Sequence, residues 1–152
     1  MSLSSLKRGF TLIELLLVIG IIAILAAIVI VAINPTKQLG DARNAQRRAD
    51  VNTIINAVYQ YAIDNDAIPT VITTSESNIC RTALGGCSAL SAGAIDLDML
   101  TGAYIVSLPV DPQESSGAIT GYRIYKAGAG NNVRVTVTAP RAEQDETISV
   151  SR

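Results

Sequence analysis

The stretch KRGFTLIELLLVIGIIAILAAIVIVAI, residues 7–33, decides how the rest of the chain is understood. Two cations and a glycine stand before a long apolar run that carries one acid, Glu14. From Leu15 to Ile33 no side chain is charged or polar, and Gly20 is the single interruption. Such a run predicts a membrane-spanning helix, because about 20 residues rising about 1.5 Å each cover a hydrocarbon core of about 30 Å. The positive-inside rule keeps Lys7 and Arg8 cytoplasmic and sends the C-terminal part outward. Glu14 is the anomaly. An acid at the centre of such a helix costs about 2.5–3.5 kcal/mol on insertion scales, and acids there usually have a functional partner.

Working outward, 119 residues follow Ile33, enough for one modest core. The whole chain has 12 basic and 13 acidic residues; setting aside Lys7 and Arg8 leaves 10 against 13, a net charge of −3. That is no basic field, so no specific nucleic-acid binding is expected. With no His and two Cys, most metal and nucleophile chemistries lack their usual residues. No nucleophile–base pair, phosphate loop or metal cluster points to an enzyme, and no cofactor is called for.

A secretory signal peptide has an apolar stretch of only about 7–15 residues, shorter than this one. A plain uncleaved anchor explains the length but neither Glu14 nor the preceding KRG. The residues KRGFTLIEL and the apolar run behind them resemble the N-terminus of type IV prepilins and the related pseudopilins. The likeness is close over residues 7–33 and loose beyond. It implies a leader of residues 1–9, cut by a prepilin peptidase between Gly9 and Phe10, and methylation of the new Phe10 amine. It also makes Glu14 the assembly acid. On a helix Glu14 lies four residues past Phe10 and on the same face, so a neighbouring subunit's amine can sit against it.

Residues 10–35 are then the transmembrane and assembly helix, with a kink or short unwound stretch expected at Pro35. In common pilins a proline interrupts the helix earlier, about where Val31 stands, so the segment that melts there is shifted toward Asn34–Gly40 or absent here. Residues 36–66 read as an amphipathic helical half. Val51, Ile54, Ile55, Val58, Tyr61 and Ala62 form one apolar stripe, and Ala42, Ala45 and Ala49 a thinner one among Asp41, Arg43, Arg47, Arg48 and Asp50. Those small residues and mixed charges fit a stalk approached by neighbours or, equally, a solvated face.

Residues 67–152 form the head, with an irregular loop region over 67–103 and a sheet over 104–152. Cys80 and Cys87 close a short loop around Gly85 and Gly86. In an exported domain a disulfide is the leading reading; a metal site lacks ligands, and catalytic thiol exchange prefers a closer pair. Asp96–Leu100 suits one helical turn. Strands are expected over Tyr122–Ala127, Val133–Ala139 and Thr147–Ser151, joined at Gly128–Asn131 and Pro140–Glu146. The fold class is therefore α+β: a long N-terminal helix, half transmembrane and half amphipathic, packed on an antiparallel sheet of about three strands. The resemblance implies the ladle shape of pilins and adds weak calcium candidates at Asp111 and Glu114.

The function implied is a structural subunit of a pilus-like filament. It is stored in the bacterial inner membrane with its N-terminus cytoplasmic, then polymerised with its own copies through the apolar helix by an inner-membrane assembly platform. The alternative is a pseudopilin of type II secretion or DNA uptake. A disulfide-closed loop and a long irregular region lean toward the surface pilus. A bitopic membrane-anchored binding protein is the reading from a different class.

Overall fold

The computed structural model describes residues 9–81, 87, 93–115, 117–128 and 132–152. Lys7 and Arg8, Gly85 and Gly86, and the Gly130–Asn131 connection lie outside the described residues. The chain divides into two units, Met1–Gln38 and Leu39–Arg152.

The first unit is built on helix α1, Leu12–Ile33, in which every side chain is exposed. Its composition gives it no polar face to turn to water, and the helix is long and apolar enough to cross a membrane. Asn34 ends it in the left-handed region at φ 41°, which asparagine tolerates better than most residues. The same residue caps helix α2, Pro35–Asn65: its side-chain Oδ1 accepts the Lys37 N–H at 3.4 Å and also the Thr36 hydroxyl at 2.8 Å. Pro35 occupies the first helical position, where its missing N–H costs nothing. The interruption is thus one residue, Asn34. Pro35 begins the second helix, and α2 stays helical through Gly40.

Among the described residues the second unit carries a five-stranded mixed sheet in the order β2-β1-β3-β4-β5. Its strands are β1 (Ser77–Cys80), β2 (Ala94–Asp96), β3 (Ile119–Ala127), β4 (Arg134–Ala139) and β5 (Ile148–Ser151). The expected meander is present as β3, β4 and β5, all antiparallel. The count of about three is corrected to five. β1 and β2 arise inside the region expected to be irregular, where β1 pairs with β3 and β2 runs parallel to β1. Strands of three and four residues carry no readable alternation; the long β3 supplies the ladder that orders them. Tyr104–Leu108, by contrast, is not a strand. Its N–H groups turn back locally, Tyr104 and Ile105 both donating to the Leu100 carbonyl at 3.1 Å.

Val51, Ile54, Ile55 and Val58 of α2 share one buried core with Tyr122, Ile124, Val135 and Val137 of the sheet. Upstream the small-residue stripe is exposed, as a stalk or solvated face would leave it, but the charges at Arg47 and Asp50 are covered. Ala42, Ala45 and Ala49 point outward, whereas Gly40, Asn44, Arg47 and Asp50 are buried.

Candidate functional site

The head of α1 brings together the residues marked by the sequence. Gly9 and Phe10 precede the helix in non-helical backbone, and Phe10 is 76% exposed. A Cβ at Gly9 would meet nothing within 4 Å, so the chain itself sets no steric demand for glycine there. Thr11 is the N-cap. Its hydroxyl accepts from the Glu14 N–H at 3.3 Å, and the Glu14 carboxylate accepts from the Thr11 N–H at 3.4 Å and from the Thr11 hydroxyl at 3.3 Å. This is a reciprocal capping box, and it satisfies end groups that α1 would otherwise leave orphaned.

The arrangement eases the difficulty of an acid on an apolar helix. Glu14 lies in the first turn, where the N–H groups and the helix dipole favour negative charge by typically about 0.3–1 kcal/mol. Its oxygens bond within their own chain yet stay exposed, so they remain reachable by a cation from outside. Thr11 escapes a reading centred on Glu14, although the Thr-x-x-Glu spacing ahead of an apolar run is its signal.

In the head, Cys80 and Cys87 form a disulfide with their Cα atoms 5.2 Å apart. Asp111 and Glu114 are each faced by an arginine. Asp111 is fully buried and receives Arg47 Nε at 2.6 Å and Arg47 Nη2 at 3.2 Å, together with the Gln113 N–H at 2.8 Å. Glu114 lies 3.1 Å from Arg141. Gly121, at φ 85°, lets β3 pass under this turn, since a Cβ there would stand 2.7 Å from that of Asp111. The counter-charge of both carboxylates is therefore a guanidinium.

Arg47 itself is 0% exposed and also donates to Glu143 at 3.1 Å, Gln113 at 2.7 Å and Asn44 at 3.0 Å. Its bonds to Asp111 outweigh the opposing effect of burial and hold the guanidinium more firmly charged than usual. Arg43 grips Glu143 with two bonds, at 2.6 and 2.7 Å, and mainly through them pulls that carboxyl down to about 2.

One apolar helix long enough to span a bilayer, headed by an acid, and an α+β head fit a membrane-anchored subunit. The Prokaryotic N-terminal methylation motif matches residues 4–30. The type II secretion system core protein G of Escherichia coli (strain K12) is 32% identical over 106 residues, covering 70% of this chain and 66% of that protein, just under two thirds. The protein of the same name from Klebsiella pneumoniae is 28% identical over 134 residues, covering 88% of this chain and 85% of that one. No solved structure matches the chain. The chain belongs to the type IV pilin and pseudopilin family of structural subunits.

Proposed function

We propose that this chain is a prepilin whose mature form polymerises into a pseudopilus of the type II secretion kind. The observation that carries this reading is the head of α1: an exposed peptide in non-helical backbone, then an acid capped in place, then a helix apolar on every side. A helix with no polar face is suited to lipid before assembly and to helices of other copies afterwards. In this reading residues 1–9 are a leader removed by a prepilin peptidase, Phe10 is the methylated N-terminus, and residues 10–35 anchor the chain until an inner-membrane platform extracts it. Residues 36–66 and 67–152 form the exported helical half and head. The secretion assignment draws on the names of the two relatives, against the lean toward a surface pilus suggested by the disulfide loop and the long region 67–103.

Mechanistically, cleavage creates an α-amino cation at Phe10. In a bundle of helices, a neighbour's amine replaces the Thr11 contacts of Glu14, giving the acid a full counter-charge as lipid is exchanged for protein. The purified chain is expected to lack residues 1–9 and to carry one added methyl by intact mass. Glu14→Ala is expected to leave the protein in the membrane while abolishing filament incorporation; normal filament yield from that variant would overturn the pairing. Electron microscopy of labelled surface filaments separates the two filament roles: sheared surface pili carrying this chain at native expression levels would favour the pilus.

A further inference from the structure

Two sulfurs and a carboxylate meet where β1 and β2 end. Cys80, the last residue of β1, pairs with Asp96, the last residue of β2, across the parallel ladder. Residues paired in this way on neighbouring strands stand on one face of the sheet. The Cys80 and Cys87 sulfurs and a carboxylate oxygen of Asp96 accordingly lie within 4.8 Å of one another. A further contact steadies the acid, whose Oδ1 accepts the Asp98 N–H at 2.8 Å. The sequence offers two thiols and too few other ligands for a metal; the register of two short strands supplies the third.

The chemistry of this group depends on the state of its sulfurs. Joined in the disulfide they are poor ligands, since the thiolate is what binds a metal. A phosphine reductant breaks the S–S bond by supplying two electrons. It takes the oxygen of one water, and the two protons of that water go to the sulfurs. Two thiolates and a carboxylate held this close repel one another, and a divalent ion removes that repulsion as it displaces the thiol protons to solvent. The Cα atoms of Cys80 and Cys87 are 5.2 Å apart, close enough for both sulfurs to reach one ion at about 2.3 Å. Cys80 is buried, whereas Cys87 and Asp96 are partly exposed, which gives an ion its path in.

We propose that Cys80, Cys87 and Asp96 form, in the reduced chain, a site for one thiophilic divalent ion of the zinc class, and that the disulfide is the closed state of the same site. Two thiolates and one carboxylate suit zinc or cadmium; calcium and magnesium take oxygen ligands. Three protein ligands leave a fourth position to water. Bond and ion compete for the same two sulfurs. Exchange with a disulfide donor therefore expels the metal and reduces the donor to two thiols, and bound metal slows that exchange. The site lies wholly within the second unit and rests on no filament assignment.

The full chain in detergent micelles, reduced with a phosphine and desalted without oxygen, is titrated with cadmium while the thiolate-to-metal absorption is followed. One ion per chain is expected, with no such absorption from the oxidised chain or from Cys80→Ser with Cys87→Ser. Asp96→Asn is expected to weaken cadmium binding by at least about tenfold, while excess calcium does not compete. Asp96→Glu serves should the Asn variant fail to fold, and is expected to shift the affinity as well. An affinity unchanged in whichever variant folds would overturn the site, since two thiols of a loop would then bind alone. So would zinc X-ray absorption showing four sulfurs around each ion, the mark of one ion shared by two chains.

Discussion

The two halves of the buried face of α2 solve the same packing problem with opposite chemistry. From Gly40 to Asp50 the face is Gly40, Asn44, Arg47 and Asp50; from Val51 to Val58 it is Val51, Ile54, Ile55, Ala57 and Val58. The difference follows from what each half faces. The lower half meets a sheet, whose backbone groups are paired within the ladder and which offers only a layer of side chains, so aliphatic residues suffice. The upper half meets two loops, at 109–114 and 140–147, whose N–H and C=O groups and carboxylates need partners once covered. Arg47 and Asn44 supply those partners. The border is marked by Tyr122, whose ring lies in the apolar core and whose hydroxyl donates to Asp50 at 2.6 Å. Burial, with Asp50 beside it, pushes that phenol well above its usual range.

The largest effect is expected where the polar half is broken on one side only. Arg47→Met leaves Asp111 buried without its cation, which costs about 3–5 kcal/mol for an uncompensated buried charge. Urea unfolding of the full chain in micelles reads it. Adding Asp111→Asn is expected to recover most of the loss, because the desolvated charge goes with its partner. If the double variant were no better than the single one, the polar half would owe its stability to the shape of Arg47 rather than to its charge.

Acid should loosen the polar half before the apolar one. The Glu143 carboxyl lies at about 2, below its ordinary 4.5, because of its bonds to Arg43 first and Arg47 second. A lowered folded value stabilises the native state above the unfolded pKa, so the contribution is complete above pH 4.5 and is lost as pH falls through about 2. Thermal midpoints taken across that window should fall more steeply for the parent than for Glu143→Gln. Parallel curves would show that Glu143 is not part of the acid response.

Much of the molecule could be read before the structure, and the unread part has a common cause. α1 declares itself by length alone, β4 by the alternation of Val135 and Val137 with Thr136 and Thr138, and the Cys80–Cys87 bridge by an exported setting. The inward turn of Arg47 could not be seen, because a charge among small residues reads as a stalk surface or a solvated face. The partners that reverse that reading are 64 and 96 positions away, at Asp111 and Glu143. β1 and β2 were hidden for the same reason: their order comes from β3, far along the chain. Thr11 was missed for no such reason: its cap to Glu14 is local, and the Thr-x-x-Glu spacing marks it.

The smaller predictions compare the halves at equal severity. In the apolar half, Ile54→Val removes one methylene from a fully buried site and should cost about 0.5–1.5 kcal/mol, with no dependence on salt. In the polar half, Arg48→Ala breaks a pair whose side chains are 55% and 36% exposed, so the loss in global stability should be about 0–1 kcal/mol and should shrink further in high salt. The Arg48 result is informative beside amide exchange. Global unfolding reports the core that all variants share, whereas exchange in residues 41–50 reports the opening of the polar half alone. A variant that leaves the unfolding midpoint in place yet speeds exchange near Arg48 would show that the two halves of one helix open separately. A midpoint and an exchange rate that move together would show that they open as one.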